Sequence, residues 1–275
     1  MIRRARPWLG TIVEIACDNE AALEAGFGPI ARCHAAMSFH SDDGDLAALR
    51  NAPAGTLVAV DPQTVNVLRL AARLHEDSEG LFDVTVARTL VAAGYLPRNM
   101  SHRLTHYSGS ATDIEIVDDC HVRCHRAMLI DLGGIAKGHA VDMAVAALQT
   151  AGATQGIVNA GGDLRVFGEM PETIWLRGAD GTLVSSIEAR DEAVASSSNL
   201  LFRRQTRGRQ VSPHIGRAGL PVMSDHTITV IAPDCAMADA MTKIAMADMA
   251  LAEKLLAPIG GRVMTTASTP ARQAA

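Results

Sequence analysis

The chain has 275 residues, 48% of them hydrophobic and 20% charged, with a formal net charge of −5 at pH 7. This composition supplies a sizeable core, excludes an intrinsically disordered chain, and fits either one large domain or two small ones. The negative balance excludes a domain-wide basic field for DNA or another polyanion, while a local phosphate site stays open.

Aromatic residues make up only 3% of the chain, so the core must come from Ala, Val, Leu, Ile and Met. No apolar run reaches the roughly 18 residues of a membrane span. The early arginines are not followed by a signal-peptide core, because Glu14 interrupts the apolar run from Trp8 to Val13. A cytoplasmic protein with no membrane contact and no nucleic-acid partner is expected. Five cysteines, at 17, 33, 120, 124 and 235, are odd in number and widely spread, which suits reduced thiols.

In chain order, Thr11–Cys17 reads as a strand and residues 20–37 as a helix. Asp61-Pro62 starts a second helix, with Asp as N-cap and Pro at the first helical position. Val65, Leu68 and Ala72 follow at helical spacing, and Gly80 stops it. Residues 112–131 alternate like a hairpin through Ile114, Ile116, Val122, Cys124, Met128 and Ile130. A helix follows to about Gln149. Strands are expected at Gln155–Asn159 and Leu164–Phe167 around the turn Gly161-Gly162-Asp163, then at Thr173–Arg177, Leu183–Ala189 and Thr227–Ala232. Cys235–Leu256 reads as one Ala- and Met-rich helix, and residues 265–275 as a frayed, disordered tail. The pattern is α+β in one compact, two-lobed unit.

The most informative run is Ile130-Asp131-Leu132-Gly133-Gly134-Ile135-Ala136-Lys137-Gly138. An apolar strand end delivers a carboxylate, two glycines, a lysine and then a helix. A helix N-terminus presents unpaired N–H groups and partial positive charge, and glycines let a ligand approach the backbone. Neither the GxxxxGKS/T nor the GxGxxG spacing matches, so a third type of phosphate site is required.

On the late helix, Asp239 and Thr242 are three apart and share a face. A carboxylate with a hydroxyl suits Mg²⁺, a hard cation that shares phosphate ligands. Asp83, in Gly80-Leu81-Phe82-Asp83-Val84-Thr85, reads from spacing alone as a loop aspartate capping the next helix. His40 and three aspartates crowd the segment from Met37 to Leu46, read as a solvated acidic turn without EF-hand spacing.

Cys120-His121-Val122-Arg123-Cys124-His125 lacks the C-x-x-C-H spacing of haem attachment, and strand alternation separates its cysteines from its histidines. Arg203, Arg204, Arg207 and Arg209 are expected on an exposed hairpin. Ser196-Ser197-Ser198 has no G-x-S-x-G elbow, which argues against serine hydrolase chemistry.

Taken together and in this order, the pieces resemble the ApbE family, the FAD:protein FMN transferases. The resemblance runs from Leu9-Gly10-Thr11 to the Asp239 helix. It is most specific at FDVT (82–85), IDLGGIAKGHAVD (130–142), GGDLRVFG (161–168) and VIAPDCAMADAMT (230–242).

It implies an α+β fold of the ApbE, T-fold-like type over residues 1–264. It also implies Mg²⁺-dependent transfer of FMN from FAD to a Thr or Ser of a target flavoprotein, with AMP as leaving group. By the same resemblance Leu9, His40, Leu81, Phe82, Asp83, Asp131, Lys137 and His214 contact FAD. Mg²⁺ is held by the Gly134 carbonyl, Asp239 and Thr242, and the chemistry falls to His214 and Asp239.

The chain departs from the family pattern in four places. MGT is LGT at Leu9, a tyrosine stacked on flavin is His40, and the loop after His214 is shortened, losing an Asp-Pro. The family threonine four residues after the metal-helix aspartate is Lys243, with Thr242 one place earlier. An ammonium there replaces part of the metal's charge, weakens Mg²⁺ binding, or points away; the sequence leaves all three open. FAD hydrolysis to FMN and AMP, and FAD binding without catalysis, are the alternative activities.

Overall fold

The structure, a computed structural model, describes residues 1–206 and 208–267. Strands β1 (Ile2–Trp8) and β2 (Thr11–Cys17) form an antiparallel hairpin. Its two-residue turn holds Leu9 at φ 56° and Gly10 at φ 72°, the left-handed geometry such a turn demands. Helix α1 (Leu23–Met37) and the short α2 (Asp45–Asn51) follow. After β3 (Leu57–Ala59), helix α3 (Pro62–Asp77) starts where expected: the Asp61 carboxylate accepts the Gln63 N–H at 2.8 Å.

Helix α4 (Ala87–Ala93) leads to β4 (Ile114–Ile116) and β5 (His121–Cys124), then to α5 (Ala136–Thr150). Strands β6 (Gly156–Ala160), β7 (Asp163–Phe167), β8 (Glu172–Arg177), β9 (Leu183–Ala189) and β10 (Ala193–Ser197) come next. The chain ends with the small hairpin β11 (Arg204–Thr206) and β12 (Arg209–Val211), strand β13 (His226–Ala232), helices α6 (Cys235–Ala247) and α7 (Met249–Leu256), and β14 (Arg262–Ala267).

Seven strands form the main sheet in the order β1-β2-β6-β7-β10-β13-β14, every pair antiparallel. Helices α1, α5 and α6 cover one face. Their shared core includes Ile15, Ile30, Leu132, Ile135, Leu148, Met241 and Ile244, all essentially inaccessible. The hairpin β8–β9 covers the other face, laying Ile174 and Leu176 over Ile157, Leu164, Val166 and Val194. A central strand covered on both faces cannot alternate, and β13 is accordingly buried from Thr227 to Ala232. A separate three-stranded sheet, β3-β5-β4, lies against α2 and α3.

Several expectations are corrected. The 112–131 hairpin is real only as β4–β5, with Ile116 opposite Val122; residues 128–130 are buried but belong to no strand. The expected helix 235–256 breaks at Asp248, whose carboxylate accepts the Leu251 N–H at 3.0 Å and restarts the chain as α7. Residues 265–267 of the expected tail pair with β13, and residues 268–275 lie outside the described residues.

Two glued contacts bring α5 and α6 together. A Cβ at Gly138 would overlap the Cys235 carbonyl oxygen and stand 2.8 Å from Cα of Ala236, so the helices cross at backbone contact. Asp142, on α5, accepts the Cys235 and Ala236 N–H groups at 2.9 and 2.8 Å, capping α6 from its neighbour, and pairs with Arg165 of β7 at 2.8 Å. Asp142→Ala is expected to cost about 2–3 kcal/mol, from a lost cap and an orphaned guanidinium. Denaturant unfolding checks this; an unchanged midpoint would mean that the N-cap Asp234, which accepts the Met237 N–H at 2.8 Å, holds the start of α6 by itself.

Candidate active site

The turns β1–β2 and β6–β7 lie at one end of the sheet, because Val13 pairs with Ala160 and Trp8 with Thr11. The side-chain-free Gly161 fits against Thr11: a Cβ there would overlap the threonine hydroxyl. The LGT and GGD segments therefore meet, and Leu9 packs on the main core from its turn. Strand β10 runs to the same end and finishes in Ser197, beside the middle of α6.

Asp239 is completely buried on α6. The Lys243 ammonium, one turn later, lies 2.6 Å from Asp239 Oδ1 and donates to Ser197 Oγ and Thr242 Oγ1, both at 2.9 Å. The two hydroxyls are 2.8 Å apart, and Thr242 also donates to the Asp239 carbonyl at 2.7 Å. The other Asp239 oxygen receives the Gly138 N–H at 3.4 Å. Gly134 borders the same group, since a Cβ there would stand 3.4 Å from Cγ and Cε of Lys243.

The Mg²⁺ set expected at Gly134, Asp239 and Thr242 is thus assembled, but its side-chain oxygens already hold an ammonium. A dication approaching Asp239 Oδ1 or Thr242 Oγ1 would meet the positive charge already in contact with them, so with Lys243 in this position these side-chain oxygens do not fit Mg²⁺.

Around this pair stand the remaining charges. Lys137, in the first turn of α5, makes an ion pair with Asp163, which is 2% exposed. Burial drives the Asp163 carboxyl upward and Asp239 adds to it, while Lys137 and Lys243 pull it back. Burial alone would lower the Lys137 ammonium, but the charges of Asp163 and Asp239 outweigh it and hold the group firmly protonated.

Asp131 has one local partner, the Gly133 N–H at 3.0 Å. Burial raises its carboxyl, opposed by the Gly133 bond and by the charges of His40 and Lys243. Phe82 faces Gly134, at 3.7 Å from the position of a Cβ there, and the Val84 carbonyl accepts the Asp131 N–H at 2.8 Å. These contacts bring 81–84 to the site. Asp83 itself is turned to its own loop, accepting the Thr85 N–H at 2.7 Å and hydroxyl at 2.6 Å.

His214 lies in a short loop closed by the Val222 N–H to its carbonyl at 2.8 Å. Its Nδ1 is buried without a partner. Burial, with Lys243 adding to it and Asp239 opposing, lowers the imidazole pKa to about 3. His214 is therefore neutral at physiological pH and a weak proton acceptor, better suited to hydrogen bonding a ligand than to general-base work.

A histidine that titrates near 6.5 when unfolded and about 3 when folded gives stability that is complete above pH 6.5 and lost as pH falls between those values. Relative to His214→Gln, the wild type is expected to lose stability below pH 6.5, by at most about 1.4 kcal/mol per pH unit. Parallel pH-dependent melts check this; a pH-independent difference would contradict the buried neutral imidazole.

The structure thus brings Phe82, Asp131, Gly134, Lys137, His214, Asp239 and Thr242 to one locus, with exposed His40 within charge range of Asp131. Two participants escaped the sequence reading. Asp163 was visible only as part of a turn, and Ser197 was set aside for want of a nucleophile elbow.

Two of the four arginines around this hairpin have structural partners. Arg203 pairs with Asp225 at 2.9 Å, Arg204 lies over the Tyr95 ring and bonds the Gly94 carbonyl at 2.7 Å, and Arg207 lies outside the described residues. Cys120 stands in the turn before β5, so alternation does not separate it from His121. Its Sγ is 3.4 Å from His121 Nδ1, which also bonds the exposed Asp118.

Comparison with known proteins places the chain among relatives. The chain is 28% identical over 256 residues to a FAD:protein FMN transferase of Rhodobacter capsulatus, covering 84% of this chain and 48% of that protein. It therefore spans about half the length of that relative. A FAD:protein FMN transferase of Haemophilus influenzae is 25% identical over 232 residues, covering 76% of this chain and 67% of that one. The crystal structure of an ApbE protein from Thermotoga maritima superposes with a TM-score of 0.83 at 24% identity, over 96% of this chain and 93% of that one. The model of the ApbE family matches residues 9–259, and the chain belongs to that family.

Proposed function

We propose that this chain is a flavinyltransferase that moves FMN from FAD to a Thr or Ser hydroxyl of a target flavoprotein and releases AMP. The observation that carries the reading is the convergence of Asp131, Lys137, Asp163, Asp239, Lys243 and a buried, partnerless His214 nitrogen beside the N-terminus of α5. The curated relatives named FAD:protein FMN transferase support it.

In this reading the diphosphate of FAD sits at the α5 N-terminus, where the helix dipole and the Lys137 ammonium favour anionic oxygens. Phe82 and His40 border the flavin half. The target hydroxyl oxygen forms a bond to the FMN phosphorus while the bridging P–O bond breaks, its electron pair leaving with AMP. The hydroxyl proton goes to a carboxylate. Asp131 is the one in the cluster without a lysine partner, and its raised pKa makes it the better acceptor. Alignment of hydroxyl and phosphorus, and charge stabilisation of the leaving phosphate, supply most of the rate.

All five cysteines are free and, among the described residues, no helix is long and apolar enough to cross a membrane. We take the target to be cytoplasmic on the first of these observations.

The test is incubation of the purified chain with FAD and a candidate acceptor flavoprotein. Flavin fluorescence that stays with the acceptor in a denaturing gel is expected. Free FMN and AMP would replace transfer by hydrolysis, and unchanged, tightly held FAD would reduce the chain to a binder.

A further inference from the structure

We propose that Lys243 is a built-in cation that takes the place of a divalent metal beside Asp239, so that this chain binds and processes FAD without one. The inference rests on the FAD reading above and goes beyond it, because the family resemblance implies Mg²⁺ at this position.

The geometry is that of an occupied cation site. Three oxygens lie within hydrogen-bond distance of the ammonium: Asp239 Oδ1 at 2.6 Å, Ser197 Oγ at 2.9 Å and Thr242 Oγ1 at 2.9 Å. The i to i+4 spacing on α6 fixes the pair within one helix turn, and the Lys243 side chain is only 23% exposed. Gly134 lies alongside the lysine stem, close enough that a Cβ there would stand in van der Waals contact with Cγ and Cε at 3.4 Å. Ser197 comes from a different element, the end of β10, so tertiary structure also holds the ammonium.

The chemistry of the site agrees. Asp239 is wholly buried, and a buried carboxylate needs a permanent partner. In this chain the partner is covalently attached and always present. A dication approaching the same oxygen would face a fixed positive charge and would have to expel it. A lysine here supplies one positive charge where a metal supplies two, so the chain trades charge at the diphosphate for independence from metal supply.

The test uses Mn²⁺ as the probe, with electron paramagnetic resonance reporting bound ion and fluorescence quenching reporting bound FAD. Three proteins are compared: wild type, Lys243→Thr and Lys243→Met. Wild type is expected to take up no stoichiometric Mn²⁺, with or without FAD, and its FAD affinity and FAD turnover are expected to be unchanged by EDTA. Lys243→Thr, which restores an oxygen donor, is expected to bind one Mn²⁺ per chain and to become EDTA-sensitive. Lys243→Met, which has neither charge nor oxygen, is expected to lose roughly 100-fold in turnover and to regain nothing with Mg²⁺.

One Mn²⁺ bound by the wild type in the presence of FAD, or loss of its FAD turnover in EDTA, would overturn the proposal even if both variants failed to fold. Absence of FAD binding by the wild type in either buffer would instead overturn the FAD reading on which it rests.

Discussion

Asp239→Asn is expected to lower FMN transfer by about 100- to 1,000-fold, the usual effect of removing one charged group from a transition-state-stabilising cluster. The asparagine keeps the shape and one oxygen facing the Gly138 N–H, but it removes the charge that positions Lys243. The ammonium then keeps only two hydroxyl partners, Ser197 and Thr242, and its charge is free to drift toward Asp163 or solvent. The loss is expected mainly in kcat, because the helix terminus and Lys137 still attract the diphosphate in the ground state.

Groups that act as a unit are not additive, so Lys243→Met added to Asp239→Asn is expected to cost little more than either change alone. Single-turnover kinetics with FAD and circular dichroism on the same samples check this. Turnover within about threefold of wild type in a folded Asp239→Asn protein would remove Asp239 from the site.

The second large effect is on stability. Gly138→Ala is expected to destabilise the fold by about 3 kcal/mol or more, because the new methyl has no void to enter. It would meet the backbone of Cys235 and Ala236, which cannot rotate aside as a long side chain can. Relief requires α5 and α6 to separate, and that also stretches the Asp142 caps on Cys235 and Ala236. At about 2–4 °C per kcal/mol, the melting temperature should fall by roughly 6–12 °C. Since the same two helices carry Lys137 and Asp239, residual activity should fall with it. A melting temperature within a degree of wild type would mean that the helices have slack at the crossing.

Much of the site was legible in the sequence because its parts are short, contiguous and carry strong local signals. Asp131, the glycine pair and Lys137 sit within seven residues at the entry to a helix, which is read as phosphate-binding from backbone chemistry alone. Asp239 and Thr242 share a helix face by spacing alone. Asp163 and Ser197 were hidden because their roles arise only through tertiary pairing, Asp163 with Lys137 and Ser197 with Lys243. The orientation of Lys243 was undecidable from sequence, since a helix position four residues from Asp239 permits either an ion pair or an outward rotamer.

The fold shows the same division. Strands with plain apolar runs, such as Thr227–Ala232, were evident. The edge strand β1 was not, because Arg3, Arg4, Arg6 and Pro7 mask its periodicity. Those residues are what an edge needs, the arginines pairing with Glu14, Glu20 and Glu24 and opposing further sheet growth. Strand β10, Ala193–Ser197, is too rich in small residues to announce itself and is held by Leu164 on one side and Ile228–Ala232 on the other.

Whether FAD is split at this cluster and its FMN half passed to a protein hydroxyl is decided by counting products. AMP released and FMN bound to a candidate acceptor flavoprotein are quantified in the same reaction, by chromatography and by intact-protein mass spectrometry. One AMP is expected for each acceptor-bound FMN, with no free FMN. FAD recovered intact in the presence of every acceptor tried, or AMP matched by free FMN alone, would contradict that transfer.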